Sequence, residues 1–200
     1  MENWYIVTGC ERLSPGCDNC PTYWDYYHKG MDYHPVFHRE RIMHPYKFWD
    51  GTTVIVAPGS DLIHEAITEK QIRGVVNVMK HNPEVFFEVG TKRAERLVAL
   101  GIKWPDNVTV GVAVEEARYK WRIDALRDVD VQHKMVSFGP LTGPVGEIDM
   151  CNISMAGVVV ETWGPSPRPV KQEWIDEIRS QCLDWSVRFV DEHWIAKETV

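Results

Sequence analysis

Residues 53–80 read TVIVAPGSDLIHEAITEKQIRGVVNVMK and join a short apolar run to an amphipathic one, an alternation that decides the fold. Thr53 to Ala57 is continuous and rich in β-branched residues, as a buried parallel strand is, and Pro58-Gly59-Ser60 ends it. Thr68 and Gln71 form a capping-box signal for the start of a helix. Apolar residues then follow at helical spacing: Ile72, Val75, Val76 and Met79. This stretch therefore predicts one strand followed by one helix.

The same alternation recurs along the chain. Further strands are predicted at 5–8, 85–89, 108–114, 134–138, 157–160 and 187–190. Helices are predicted through Arg96 and Leu100, around Trp121, Ile123 and Leu126, and around Trp174, Ile175, Ile178 and Cys182. Strands that alternate with helices at this spacing imply right-handed crossovers and a parallel sheet.

The number of strand–helix units narrows the fold class. About six or seven units are too many for a small open sheet and too few for a complete eight-unit barrel of about 250 residues. We therefore expect an α/β fold, a partial and open (β/α)6-type barrel with parallel strands. A single domain over 1–200 is expected, with a cysteine loop at 8–21, an aromatic and histidine-rich insertion at 21–50 and β/α repeats at 53–195.

Length, composition and charge favour a soluble protein. A chain of 200 residues with 44% hydrophobic content can bury a substantial core, and its apolar runs are far too short to span a bilayer. The start of the chain has no basic segment followed by an apolar one, so no signal peptide is expected. The net charge of -7 argues against a surface built wholly for nucleic acid.

Three of the five cysteines lie close together in Thr8 to Cys20, TGCERLSPGCDNC. An odd number with this clustering does not suggest a disulfide framework, and we expect a cytoplasmic protein. The thiolates of Cys10, Cys17 and Cys20 would leave one position open on a metal or cluster that takes four ligands. Zinc with His28 or His34 as the fourth ligand, an iron–sulfur cluster with one free iron, and unligated thiols all remain open on spacing alone.

Polar residues follow the predicted strands at the carboxyl ends, where barrel sites form. They are Gly59, Ser60 and Asp61, then Gly90 to Arg93 with Lys92 among them, then Glu115, Ser137 and Glu161. Glycines and hydroxyls at these turns suit the close approach of a polar ligand, although, taken singly, helix caps and turns explain each of them more simply.

Three other features have simpler explanations than a binding site. Asp61, His64 and Glu65 could hold a metal, but a cap and a salt bridge explain them better. The aromatic run that begins at Tyr23 could stack on a base, and a packed lid over the cysteine loop is the plainer alternative. Cys151 and Cys182 are most simply buried thiols, and Trp174, Trp185 and Trp194 core or interface aromatics.

Short blocks along nearly the whole chain resemble one family. Trp4 with Thr8-Gly9-Cys10, and SPGCDNC at 14–20, match the opening pattern of the phage-associated Gp37/Gp68 family of radical S-adenosylmethionine proteins. Six further blocks correspond in order: FHRERI (37–42), SDLIHE (60–65), TKRAERL (91–97), GVAVEE (111–116), GPLTGPV (139–145) and GPSPRP (164–169). Several blocks in the right order are much more specific than the cysteine spacing alone.

The resemblance implies a radical S-adenosylmethionine fold and two cofactors. A [4Fe-4S] cluster would sit on Cys10, Cys17 and Cys20. The amino and carboxylate groups of S-adenosylmethionine would then supply the ligand that the chain lacks. One electron from the cluster cleaves this cofactor to a 5'-deoxyadenosyl radical, which abstracts hydrogen from a substrate.

Further site residues follow from the resemblance alone. Gly59, Ser60 and Asp61 come after the second barrel strand, where the wider superfamily binds the methionine amino group. Lys92 or Arg122 would pair with the cofactor carboxylate. Two other residues complete the expected cofactor site: Glu115, which would accept hydrogen bonds from the ribose hydroxyls, and Ser137.

The chain departs from the family pattern after several strands, which suggests a retained cofactor site and a different substrate. The altered stretches are 21–23, 137–141, 160–165 and 190–194. The expected substrate is a small molecule, or a nucleotide or base of phage DNA undergoing hypermodification by an isomerase-like rearrangement, with a flavodoxin or ferredoxin as electron donor and no membrane partner. The alternatives are a Cys3His zinc module for a protein or nucleic acid, and a homologue that binds the cluster without turnover.

Overall fold

Strands and helices alternate along the computed structural model, which describes residues 1–190. The strands are β1 Glu2–Trp4, β2 Val7–Thr8, β3 Val36–Phe37, β4 Thr53–Val56, β5 Phe86–Thr91, β6 Val108–Ala113, β7 His133–Phe138, β8 Met155–Val158 and β9 Arg188–Val190. The helices are α1 Pro21–His28, α2 Glu69–Lys80, α3 Ala94–Ala99, α4 Trp121–Arg127 and α5 Gln172–Asp184. Trp194, the family departures at 191–194 and the end of the repeats at 195 lie outside the described residues.

Seven of the strands form one sheet in the order β1-β4-β5-β6-β7-β8-β9, and every neighbouring pair is parallel. The order follows the chain without reversal. Successive right-handed crossovers then put all the connecting helices on one face, unlike a doubly wound sheet. The expected α/β class with a parallel sheet is confirmed, and within residues 1–190 the edge strands β1 and β9 do not pair, so the sheet stays open.

The helix-covered face of the sheet carries the core. Along β5, Phe87 and Val89 are fully buried, and Phe87 packs on Trp4 with ring centroids 6.0 Å apart. Helix α2 covers this face through the residues that the sequence predicts, since Ile72 and Met79 are also fully buried. The period-two alternation of each strand thus directs one set of side chains into the helix layer.

The opposite face of the sheet is only partly covered by residues 1–190. Ile55, Glu88 and Thr109 stand side by side across β4, β5 and β6, and all three are half-buried. Arg188 of β9 lies on the same face, and its charge lowers the pKa of Glu88. In a flat sheet the two strands would be four strand spacings of about 4.8 Å apart. Because the connecting helices cover the other face, a singly wound parallel sheet of this kind curves towards the face without helices, which we call the concave face.

The N-terminal strand differs from the prediction. A strand at 5–8 is wrong, because the chain turns at Tyr5, where the Ile6 N–H donates to the Trp4 carbonyl at 2.8 Å. Glu2–Trp4 joins the main sheet as β1, and Val7–Thr8 pairs with β3 in an antiparallel ladder of its own. This ladder closes residues 9–35 into an excursion from the sheet, and the excursion carries the cysteine loop and α1.

Two further expectations need correction. The strand predicted at 157–160 spans 155–158. Pairing with β7 begins early, since Ser154 N–H donates to the Lys134 carbonyl at 2.9 Å, and at the other end the Val159 carbonyl accepts from Leu141 N–H of the following loop at 2.9 Å. Cys182 is fully buried as expected, but Cys151 is exposed. Its backbone N–H binds the Asp149 carboxylate at 2.9 Å, which holds it in a surface turn. No helix within residues 1–190 is long and apolar enough to cross a membrane.

Candidate functional site at the cysteine loop

The cysteine loop lies over the carboxyl edge of the parallel sheet and is fixed there by backbone contacts. Cys10 N–H donates to the Tyr33 carbonyl at 2.9 Å, and the Ser60 hydroxyl donates to the Gly9 carbonyl. Gly9 has φ +72°, and a Cβ at this position would lie 2.0 Å from the His34 carbonyl oxygen. Only glycine therefore allows the loop to approach the strand that follows it.

The Tyr33 side chain lies next to the three cysteines. Its hydroxyl donates to the Gly59 carbonyl at 2.7 Å and lies 3.9 Å from Cys20 Sγ. Burial raises the pKa of Tyr33, and the neighbouring Cys20, Cys10 and Cys17 thiols raise it further. The three thiols thus lie within electrostatic reach of one half-buried phenol and therefore in one region of the site.

The thiols of Cys17 and Cys10 have opposite electrostatic environments. Burial alone would raise the pKa of Cys17, but the Lys92 ammonium, 3.5 Å from its sulfur, and backbone and Ser14 hydrogen bonds lower it overall. Burial and the nearby Asp61 carboxylate raise the pKa of Cys10 to about 11. Thiolates rather than thiols bind metals, so Cys17 is better prepared than Cys10 to act as a ligand.

Glu115 is the centre of the hydrogen-bond network under the loop and is completely buried. Its Oε1 accepts from the Ser14 hydroxyl and pairs with Lys92 Nζ at 2.7 Å, while Oε2 pairs with Arg122 Nη1 at 2.7 Å. Burial alone would raise the pKa of Glu115, but Lys92, Ser14 and Arg122 together hold it below its usual range. Gly16 packs directly on this carboxylate, since an added Cβ would lie 2.6 Å from Glu115 Cγ.

A second ion cluster follows β4. The Asp61 carboxylate accepts from Arg93 Nη1 at 2.8 Å, from the Thr91 hydroxyl at 2.9 Å and from Ile63 N–H at 2.9 Å. Arg93 Nε also donates to Glu65 at 2.6 Å. Burial alone would lower the pKa of Arg93, but the two carboxylates raise it overall. The salt-bridge interpretation of the Asp61 to Glu65 segment is confirmed.

Ser137 and Glu161 lie at the ends of the next two strands. Ser137 is half-buried on the concave face of β7. Glu161 accepts from Asn19 Nδ2 at 2.7 Å and from Arg168 N–H at 2.8 Å, and Arg168 Nη2 also donates to the Pro15 carbonyl at 2.7 Å. Glu161 and Arg168 therefore hold the cysteine loop from the side opposite to Tyr33.

Neither candidate histidine joins the cysteines. The His28 ring packs on Trp24 at 6.0 Å, and the His34 side chain is 77% exposed beside Asp32. Within residues 1–190, no three His, Cys, Asp or Glu side chains are arranged as a metal site. Among the described residues, the three thiols are thus not themselves arranged as a metal site, and neither histidine completes one.

The aromatic residues of the insertion pack mainly on one another. Tyr23 stacks on Tyr27 at 6.3 Å and contacts Tyr33 edge-on at 5.6 Å, and the Arg12 guanidinium lies 4.0 Å from the Tyr23 ring. None of the α1 side chains is fully buried. Through Tyr33 this aromatic cluster borders the three thiols, and the packed-lid interpretation agrees with these contacts.

Sequence reasoning did not identify Glu88 as a candidate. Burial raises its pKa to about 7, with Arg188 as an opposing influence, and its Oε2 is buried with no hydrogen-bond partner among the described residues. The only signal in the sequence is one acidic residue inside the apolar run VFFEVG at 85–90. Side chains along a strand alternate between its two faces, so a single acidic residue is expected to face solvent. The pattern alone therefore does not identify Glu88 as a site residue.

A surface depression of about 820 Å³ lies away from the cysteine loop, against α5. Acidic side chains dominate its lining, among them Glu147, Asp149 and Glu177. It shares no lining residue with the cysteine loop or its ion clusters, so the chemistry of the loop does not reach it.

The protein is therefore an α/β protein in which a cysteine loop lies over the carboxyl edge of an open, singly wound parallel sheet. The chain belongs to the family described as protein of unknown function (DUF5131), whose model matches residues 1–199. No curated protein and no solved structure matches the chain.

Proposed function

We propose that the protein is a radical S-adenosylmethionine enzyme that holds a [4Fe-4S] cluster on Cys10, Cys17 and Cys20. The observation that carries the proposal is the position of these three thiols, all within electrostatic reach of Tyr33 above the carboxyl edge of the parallel sheet. The open curved sheet is consistent with a partial (β/α)6-type barrel, in which such an edge carries the site.

The donor set suits the proposed cluster. Three cysteine thiolates leave one iron of a [4Fe-4S] cluster open, and Cys17 is already favoured as a thiolate by Lys92. When bound, the cluster supplies the electron that cleaves S-adenosylmethionine to a 5'-deoxyadenosyl radical. The chain's own contribution is to hold the three ligands and to exclude water, for which Tyr33 and the aromatic cluster packed on it are suited.

The ion clusters at the sheet edge suit the polar ends of S-adenosylmethionine. Lys92 and Arg122 would bind its carboxylate, and Glu115 would accept from its ribose hydroxyls. In the chain as it stands, both cations already pair with Glu115. Cofactor binding would therefore exchange one charged partner for another, which avoids leaving a buried charge unpaired. Gly59, Ser60, Asp61 and Ser137 complete the proposed cofactor site.

The proposed substrate is a small molecule or nucleotide, with phage DNA base modification by a rearrangement as one setting and a flavodoxin or ferredoxin as electron donor. We propose a cytoplasmic location, since a reducing compartment keeps the three thiols free. A base in duplex DNA would have to be flipped out to reach the radical. The net charge of -7 favours a free nucleotide over long DNA.

The test is anaerobic purification of the full chain, reconstitution with iron and sulfide, and electron paramagnetic resonance with and without S-adenosylmethionine. We expect a cluster signal that the cofactor perturbs, and 5'-deoxyadenosine after reduction. Cys17→Ala should lose the signal, whereas Cys151→Ala should keep it because Cys151 is exposed far along the chain from the loop. The matched pair separates site loss from the general effect of removing a thiol.

Two other results would change the proposed function. A colourless protein with one bound zinc and no iron would overturn the proposal and favour a zinc-binding module. A cluster that responds to S-adenosylmethionine, but from which no 5'-deoxyadenosine is released, would indicate a homologue that binds both cofactors without turnover.

A further inference from the structure

The concave face of the sheet contains a half-buried glutamate, with one buried carboxyl oxygen, that the cofactor site does not use. Glu88 lies in the middle of β5, two residues before Gly90 on the same face, and its Oε2 has no hydrogen-bond partner within residues 1–190. Burying a carboxylate without a partner is costly unless the group is neutralised or a ligand pairs with it. Such a group in a functional region is a candidate for ligand binding.

The space next to Glu88 is open. A Cβ built on Gly90 meets no atom within 4 Å, and Gly90 is exposed. Ile55 and Thr109 flank Glu88 on the neighbouring strands. A small group can therefore reach the carboxyl from above Gly90, with apolar and hydroxyl contacts on either side.

The charges around Glu88 indicate whether the ligand is a cation or an anion. The cations at the sheet edge are engaged, Lys92 and Arg122 with Glu115 and Arg93 with Asp61. Arg188 lowers the pKa of Glu88 through its charge, but Glu88 Oε2 has no hydrogen-bond partner among the described residues. The charge missing beside Glu88 is therefore positive.

We propose that the concave face at Glu88 and Gly90 binds a guanidinium or ammonium group of a small-molecule ligand. The inference rests on the proposed function in one respect, which is that the ligand is the substrate of the proposed enzyme. The bound group would lie on the strand that leads to Lys92, about 13 Å away at the strand rise of about 3.3 Å per residue. A small molecule can span that distance, so one end would bind Glu88 while another reaches the cysteine loop.

The test uses methylguanidinium as the probe and methylurea, its uncharged counterpart of similar shape, as the control ligand. Both are titrated into the full-length, metal-free, isotope-labelled chain below denaturing concentrations, and amide shifts of Gly90 and Gly111 are followed by nuclear magnetic resonance. We expect saturable methylguanidinium binding with a dissociation constant on the order of 1–10 mM, because so few heavy atoms limit the affinity. Methylurea should bind at least about tenfold more weakly.

Variants make the test specific. Glu88→Gln keeps the size of the side chain and should weaken methylguanidinium binding about tenfold, whereas Glu84→Gln, an exposed control before the same strand, should leave it unchanged. Gly90→Val should block the open space without a change in fold. Equal binding of the two probes, no saturable binding, or binding that survives Glu88→Gln would each overturn the inference.

The pH dependence gives an independent check. Methylguanidinium should bind more tightly at pH 8 than at pH 5.5, because Glu88 accepts the cation as a carboxylate. The other charged or titratable groups on this face are Arg188 of β9 and His133 of β7. Glu88→Gln should abolish the pH dependence and His133→Gln should keep it. The binding test uses metal-free protein, so it does not depend on cluster assembly. If methylguanidinium binds but no cluster assembles, only the proposed function is disproved. If the cluster assembles but methylguanidinium does not bind, only this inference is disproved.

Discussion

Gly16 shows how one missing side chain fixes the cysteine loop to the sheet. A Cβ here would lie 2.6 Å from Glu115 Cγ and 2.8 Å from Oε1. The neighbour cannot move freely, because Glu115 is held by Lys92 and Arg122. The cysteine loop therefore has to stay within van der Waals contact of the ion cluster.

Gly16→Ala is expected to lower the free energy of unfolding by about 1–3 kcal/mol through overpacking. Gly74→Ala is the matched control, because Gly74 lies in α2 with open space around an added Cβ. It should raise the free energy of unfolding by about 0.5–1 kcal/mol, the helix-propensity difference. Urea denaturation measures both, and equal effects of the two variants would contradict the packing of Gly16 on Glu115.

Lys92 is expected to control the reactivity of Cys17. In the metal-free, reduced protein at pH 7.5, Cys17 should react with iodoacetamide faster than Cys10. At Cys17 the Lys92 ammonium opposes the rise in pKa that burial causes, whereas at Cys10 the Asp61 carboxylate adds to that rise. Lys92→Gln should slow Cys17 several-fold, and the exposed Lys80→Gln should not. Peptide mass spectrometry over time gives the rates, and an unchanged Cys17 rate in Lys92→Gln would disprove the electrostatic account.

At the scale of elements, α2 owes its start to a reciprocal cap. The Thr68 hydroxyl accepts from Gln71 N–H at 3.3 Å, and Gln71 Oε1 accepts from Thr68 N–H at 2.8 Å. Thr68→Ala should cost about 1 kcal/mol of stability. Thermal unfolding compares it with Ser180→Ala on the exposed side of α5, which should change stability by less than about 0.5 kcal/mol. A Thr68→Ala protein as stable as Ser180→Ala would show that the cap contributes nothing.

Elements with both a cap and a strong period could be predicted from the sequence, and elements fixed by distant partners could not. The α2 helix carries its own start signal and apolar spacing, so its existence and buried residues were predicted correctly. The division of the N-terminal segment into β1 and β2 depends on pairing with β4 and β3, which no local pattern contains. The start of β8 is likewise set by a distant partner, since Ser154 N–H donates to the Lys134 carbonyl.

The candidate site divides in the same way. Turn residues after the strands could be predicted to share one edge, because the carboxyl ends of parallel strands meet there. Their pairing could not, since Ser14 and Glu115 are far apart in the chain and meet only through the fold. Glu88 could not be recognised either, because its burial depends on how the whole sheet curves.

At the scale of the molecule, stability should pass through a maximum below neutral pH. Glu115 has a lowered folded pKa, so its contribution is present above the unfolded value of about 4.3 and is lost as the pH falls below it. Glu88 has a folded pKa raised to about 7, so its contribution is complete below about 4.3 and is lost as the pH rises towards 7. The maximum is therefore expected close to the unfolded carboxyl value of about 4.3, where the first loss ends and the second begins.

Glu88→Gln should flatten the decline in stability between about pH 5 and 7, because the substituted side chain no longer ionises. Chemical denaturation at several pH values measures the profile, with the exposed Glu84→Gln as the control. A wild-type profile without any decline over this range would contradict the burial of Glu88.

The strand order also bears on how the chain assembles. The stretch between β1 and β4, residues 5–52, is the longest between any two neighbours in the sheet, and it contains the whole cysteine loop. Closing the longest loop carries the largest entropic cost, so β4 to β9 are expected to dock in sequence before β1 is added. Pulse-labelling hydrogen exchange would then protect β1 last. Iron and sulfide would meet a binding loop that is completed at the final step of folding, after the rest of the sheet has formed.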